Sequence, residues 1–400
     1  MCQVVLGLQL SVLAAYKNMA DQPKVTDQAV YDKLQHVELA VSAAVVHDSA
    51  ARAEPAIRTL RACLPSWLKG YRIKILDGNH LAATEHRIGE LRTTWAALLP
   101  GKCLAVLDQQ LMTVTDVLLT EDGQAQERSL MEGVLPLIQR RDLWIADRNL
   151  ATLKFIFGLD DRCAFFVLRQ HGQLRGQLVG KRKAEGRCDT GFVFKQRMRV
   201  YRADGTVLVL RRITVELDKP TRDGDTEIHL LTNLPLQKAP ARKVAELYWK
   251  RWTIEGLFLE LAQTLDCAID TLCYPKAALF AFCMGLLACN AVALLKAALR
   301  AAQGRKQVSE TLSAYYLTLA NRQTYTGMMV AIPPRHWEVF GRMSVAEFAR
   351  VLKEMASRVS LAKYGKHPRG SRKKPPMRGR YKNGEHIATS RVLAARKSHK

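Results

Sequence analysis

Apolar residues recur at helical spacing through residues 1–69, most regularly in VTDQAVYDKLQHVELAVSAAVV behind a Thr26/Asp27 cap, and that spacing predicts helix. From Tyr71 the period falls to two. YRIKILD predicts a strand, KCLAVLDQQ (102–110) and MTVTDVLLTED (112–122) a hairpin, and AQERSLMEGVLPLI (125–138) an amphipathic helix. DLWIADRN (142–149) then predicts a strand, LATLKFIFGL (150–159) a helix, and AFFVLRQH (164–171) a further strand.

Three strands, a helix, a strand, a helix and a strand is the order of the RNase H-like fold, an α/β mixed sheet with helices on both faces. The alternation stops at residue 172. GFVFKQRMRVYRADGTVLVLRRITVEL is alternating β sequence around an Asp204-Gly205 turn, and TEIHLLTNL adds another strand. Helical pattern returns from Pro240, is broken by Pro333-Pro334, and resumes in SVAEFARVLKEMASRVSLA. The chain divides accordingly into a helical N-terminal region (1–69), which reads as a DNA-binding or packing module, and the first part of the RNase H-like core (70–171). A β-rich insertion (172–234), the second part of the core (235–300), a C-terminal helical region (301–362) and a basic tail (363–400) follow. The Gly, Pro, Arg and Lys content of the tail predicts no structure of its own.

Charge turns this outline toward a partner. The 400 residues carry a formal net charge of +24, and from Lys363 onward thirteen Lys and Arg face a single acid, Glu385, so about half of the excess sits in the tail and half in the body. Basic residues spread over both suit a long nucleic acid better than a membrane surface. The nine cysteines include no C-x-x-C pair, and several lie in apolar runs such as FAFCMGLLACN; they read as buried thiols of a reducing cytoplasm, without zinc. The amino terminus lacks the basic leader of a secretory signal, and its start inside an amphipathic pattern points to an upstream segment. Ala277 to Leu295 is uncharged over 19 residues, long enough to cross a bilayer; Asn290 and the small residues within it favour a buried core helix and no membrane.

Two predicted strands end in an aspartate: Asp77 after IKIL and Asp147 after LWIA. Each alone reads as a cap of the next turn or helix, with Gly78 marking a sharp turn and Asn149 a second capping residue. Together, at matching ends of neighbouring strands, they form a candidate site for divalent ions, which favour hard oxygen ligands. In AELYWKRWTIEGLFLELAQTLD, Tyr248, Arg251 and Glu255 fall within about 60° of one another on a helix. An exposed face with an Arg-to-Glu pair four apart is the plainer account.

His80, Glu85, His86 and Arg87 read as facing solvent or DNA, and Glu127 as a helix-dipole partner ahead of a fourth ligand. Trp249 and Trp252 read first as packing residues and second as stacking surfaces for a base.

In order, the strand-ending LDG, the ADRN after a second strand, the β-rich insertion and Y-x2-R-x3-E resemble the insertion-sequence-4-type DDE transposases over residues 71 to 295, and loosely in the tail. The resemblance implies Asp77, Asp147 and Glu255 as the catalytic triad, binding two Mg2+ ions for which Mn2+ can substitute, with Tyr248 and Arg251 on the DNA end. It further implies cleavage at element ends, strand transfer into target DNA by the freed 3′-hydroxyl, terminal repeats as the recognised sites, and a homodimer on DNA. The family's lysine seven residues after the glutamate is Ala262 here. The insertion holds Phe192, Phe194 and Tyr201 but no tryptophan for the flipped base of the family's hairpin step. Alternatives are an RNase H-like nuclease without strand transfer and a catalytically decayed, DNA-occupying protein; a membrane protein rests on residues 277–295 alone.

Overall fold

The computed structural model describes residues 2–5, 11–17, 25–81, 88, 97–221, 223–264, 272, 274–313, 315–320, 328, 331–366 and 386–397. Four helices lead: α1 (Cys2–Val5), α2 (Val12–Lys17), α3 (Asp27–Gln35) and α4 (Leu39–Thr59). The Thr26 hydroxyl caps α3 by accepting from the Ala29 N–H at 3.2 Å, and the run that follows is broken at His36–Glu38 into two helices. The strands are β1 (Arg72–His80), β2 (Ala97–Leu99), β3 (Lys102–Asp108) and β4 (Thr113–Thr120). After them come the short α5 (Met131–Val134), β5 (Asp142–Ala146), α6 (Leu153–Asp161) and β6 (Phe165–Arg169). The helix expected over 125–138 is only this one turn flanked by 3-10 turns, with Pro136 removing an amide donor in the second.

Nine strands hydrogen-bond in the order β4-β3-β1-β5-β6-β10-β9-β8-β7, the last four being β7 (Gln177–Cys188), β8 (Gly191–Tyr201), β9 (Val207–Leu217) and β10 (Glu227–Thr232). β3 and β4 are antiparallel, β1, β5 and β6 run parallel, and helices cover both faces, so the first five strands form an RNase H-like sheet. The β-rich segment is no separate unit. β10 pairs antiparallel with β6 and continues the same sheet outward, and the Asp204-Gly205 turn joins β8 to β9, with Gly205 at φ +86°.

On one face lie α7 (Ala241–Trp249), α8 (Trp252–Thr264) and α9 (Pro275–Gln303); α6 packs on the other. Trp144, Phe155 and Phe166 are fully buried on the α6 side, each side chain contributing roughly 2–3 kcal/mol by area removed from water. α9 is long and apolar enough to cross a membrane, yet it is mostly buried against α4, β4 and the C-terminal helix Val345–Ser357. Asn290, fully buried in its middle, shows why. Its side chain accepts from the Val114 N–H (2.8 Å) and donates to the Val114 carbonyl (3.0 Å) and the Ser49 hydroxyl (2.8 Å), clamping β4, α4 and α9 together.

Polar alternation on β1 has a similar use. Arg72 and Lys74 converge on Asp108, which is fully buried, and their charges hold its carboxyl below the usual range against the opposing effect of burial. α10 (Arg305–Thr311) and the Val345–Ser357 helix, which opens on a Ser344/Glu347 capping box, follow as helical pattern predicted. The tail departs from expectation at its end. β11 (His386–Ala388) pairs in parallel with β2, and Arg391 in the following helix grips Asp122 through Nε and Nη2.

Candidate active site

β1 pairs with β5 in parallel up to Leu76 opposite Ala146, and β5 with β6 up to Ala146 opposite Leu168. The next residue of each strand is Asp77, Asp147 and Arg169. Parallel strands keep one register across a face, so two carboxylates and a guanidinium form one row where the parallel pairing ends, on the side of α7 and α8. The prediction of a turn at Asp77-Gly78 was wrong: β1 runs on to His80, paired there with β3 alone. Gly78 is glycine for another reason. A Cβ there would stand 2.2 Å from Oε1 of Glu127, which lies against the opposite face of the strand. Glu127 opens the 3-10 turn Glu127–Leu130, so its carboxylate packs on the strand next to Asp77.

Tyr248, Arg251 and Glu255 do not share one helix. α7 ends at Trp249, and α8 starts at Trp252, so Arg251 sits in the break between them. That break directs all three side chains at the strand ends. The Tyr248 hydroxyl donates to Oδ1 of Asp147 at 2.7 Å, and Arg251 donates through Nη1 to Oδ2 of Asp77 and through Nη2 to Oε1 of Glu255 (2.7 Å). Arg251 is 7% exposed, and its Nε is buried without a partner among the described residues. Burial works against its charge, while Asp77, Tyr248, Asp147 and Glu255 together hold it more firmly protonated. Burial pushes the Asp77 carboxyl up to about 7, with Glu255 and Asp147 adding to the rise and Arg251 opposing it. The Tyr248 hydroxyl is raised by burial and by Asp147.

A cleft of about 670 Å3 opens over this cluster. Asp147, Arg169, Tyr248 and Glu255 line it on the core side; the β7–β8 turn at Asp189–Thr190 and the segment Leu217–Thr221 line it from the sheet extension. Asp225 ties that second wall down, accepting from Arg169 Nη2 at 2.6 Å and pairing with Arg148 at 3.5 Å. Arg169 and Arg148 escaped the motif reading, although Arg169 ends a strand by the same rule that singled out the aspartates. Trp249 packs half-buried against the core with its ring edge-on to Tyr248, whereas Trp252 is 58% exposed on the cleft wall.

The family model for the Transposase DDE domain matches residues 68–291, more than half of the chain. This chain belongs to the DDE transposase family. A solved structure similar to it is a piggyBac transposase synaptic complex with hairpin DNA, determined by cryo-EM, at 10% identity and a TM-score of 0.34. The similarity covers 72% of this chain and 52% of the piggyBac chain, so the protein spans about half the length of that relative. No curated protein matches the chain in sequence.

The matched segment of this DDE transposase includes all five residues of the Asp77, Asp147, Tyr248, Arg251 and Glu255 cluster. In donor type, the three carboxylates suit a hard divalent cation. They already converge on one positive charge, that of Arg251, and among the described residues no three acids, histidines or cysteines are gathered closely enough to share an ion. The set therefore fits a divalent cation in donor type, while its geometry closes Asp77 and Glu255 on Arg251 instead. Ala262 belongs to α8, but its side chain lies outside the described residues, as do Glu85, His86 and Arg87; His80 ends β1 on the exposed side.

Proposed function

We propose that this DDE transposase is of the insertion-sequence-4 type. It would cut a phosphodiester at the ends of a mobile element and join the freed 3′-hydroxyl to target DNA. The observation that supports this reading furthest is the row of Asp77 and Asp147 at adjacent strand ends, joined to Glu255 through one buried guanidinium.

Asp77, Asp147 and Glu255 would hold two Mg2+ ions. When bound, these supply activation of the attacking oxygen and stabilisation of the leaving oxygen. The chain's own residues do the rest. Tyr248 fixes the rotamer of Asp147 through its hydroxyl hydrogen bond, leaving the other carboxylate oxygen turned away from that bond. Arg251, once released from Asp77 and Glu255, has a planar fork suited to a phosphate of the DNA end. The segment Leu217–Thr221, held by Asp225 through Thr221, walls the cleft opposite the strand ends. Two element ends require two active sites, and a homodimer on DNA is the simplest arrangement.

The test is nicking of duplex DNA carrying the flanking ends of the element, with Mg2+ or Mn2+, for wild type and for Asp77→Asn, Asp147→Asn and Glu255→Gln. Loss of nicking in all three with DNA binding retained supports the triad. A pre-cleaved end with a free 3′-hydroxyl then separates transposase from nuclease, since only the former yields joined products. DNA binding without nicking in wild type would instead favour an occupancy-only protein, the reading that Ala262 and the carboxylates' closure on Arg251 support.

A further inference from the structure

We propose that one face of β8 and β9, away from the cleft, is a second contact for the backbone of duplex DNA; this rests on the DNA-acting reading above. In the antiparallel register of these strands Arg197 stands directly opposite Arg211, and Arg199 opposite Val209. Side chains two apart on a strand share a face, so Arg197, Arg199 and Arg211 lie together, the first two exposed and Arg211 half-buried. Like charges placed directly opposite each other destabilise a sheet, and among the described residues no ion pair to Arg197 or Arg211 offsets them. Arg197 and Arg199 are exposed and make neither an ion pair nor a side-chain hydrogen bond among the described residues. Arg211 donates through Nη1 to the Leu234 carbonyl at 2.8 Å, while its Nη2 is buried without a partner.

Several other bases of the same extension are matched, although the exposed Arg175, Lys181 and Lys183 make no ion pair among the described residues. Arg182 pairs with Glu216 and Glu227, Arg187 with Asp218, and Arg202 with Asp161. Glu185, the acid whose charge acts on Arg211, is taken by Lys195. Toward the strand ends the face continues into Val209, Val207 and Tyr201, all exposed, with no acid among them. A face that leaves Arg197 and Arg199 exposed, without an ion pair among the described residues, is complementary to an external polyanion.

Position favours DNA running out from the cleft. Thr190 and Leu217 line the cleft at one end of β8 and β9, and Arg197 lies seven residues along from Thr190. At about 3.3 Å per residue that is roughly 23 Å. B-DNA advances about 3.4 Å per base pair, so a duplex with its end in the cleft and its axis along β8 meets these arginines within its first helical turn. The contact is to phosphates. It strengthens and orients binding without reading sequence.

The experiment is affinity of the full chain for a duplex of about thirty base pairs carrying the element end, measured against salt concentration. For Arg197→Gln/Arg199→Gln the affinity is expected to fall on the order of tenfold, and the slope of log affinity against log salt to decrease by about two. The control is Arg187→Gln/Arg202→Gln, which removes the same net charge from the same extension at paired positions, and its slope is expected to stay near wild type. Arg197, Arg199 and Arg187 are exposed and Arg202 is half-buried over Phe157, and unchanged thermal unfolding verifies that both variants fold. Equal slopes for wild type and Arg197→Gln/Arg199→Gln, or an equal drop in the control, would overturn the proposal. Absence of any DNA binding by wild type would overturn the proposed function along with it.

Discussion

All five residues of β5 are buried, whereas β7, twelve residues long at the far edge of the same sheet, buries none. The difference follows from what covers each strand. β5 lies between two parallel neighbours with helices on both faces, so its body is apolar and chemistry can sit only where it ends. Hence Asp147 is the first residue past the pairing. β7 has one neighbour, and charge is distributed along its length in Lys181, Arg182, Lys183 and Arg187. On the proposed reading, catalysis would be concentrated at a row of strand ends and electrostatic grip spread over strand faces.

The largest effect that could break this division is at the row itself. Asp147→Asn is expected to lower nicking on the order of a thousandfold with DNA affinity nearly unchanged, whereas Arg197→Gln/Arg199→Gln lowers affinity first. A loss of DNA binding in Asp147→Asn equal to its loss of nicking would erase the distinction. Next in size is Asn290→Leu in the covered half. It strands the Val114 N–H and carbonyl in the core, and urea unfolding should show about 2–4 kcal/mol lost. A loss under about 0.5 kcal/mol would mean that Asn290 is no clamp.

Tyr248→Phe sharpens the role of the row's supports. It deletes only the hydrogen bond to Asp147, and nicking is expected to fall about tenfold with melting temperature little changed. The smallest expected effect lies in the extension. Burial lowers the His229 imidazole to about 4, against 6.5 when unfolded, so the folded state binds fewer protons between those values. Stability that is complete above pH 6.5 should therefore decline as pH falls toward 4. His229→Gln, measured by denaturant unfolding across that window, should flatten the slope; an unchanged slope would assign it to other groups.

Much of the central half was legible in sequence because burial imposes periodicity. The strand, hairpin and helix order from Tyr71 to Arg169 follows from alternation and apolar runs, and Asn290 correctly argued for a core helix. Where the reading failed, the cause was local. Gly78 was taken for a turn, but its lack of a side chain answers the approach of Glu127, a contact between residues 49 apart. The 248–255 segment carries unbroken helical pattern, yet the chain breaks at Lys250–Arg251, where Arg251 turns to Asp77 and Glu255. β11 was missed because three residues of strand in a Gly, Pro and Lys-rich tail carry no period of their own.

Sequence alone determined which residues are candidates, since strand-end acids, Y-x2-R-x3-E and the excess of positive charge are properties of order and composition. It also determined most elements, because amphipathic period reflects which face must leave water. Only the tertiary structure decided that the β-rich segment extends the catalytic sheet, that Arg169 joins the aspartate row, and that Arg251 is the charge on which the carboxylates close. Those facts depend on register and pairing between distant segments, and a strand's own residues do not specify its neighbour.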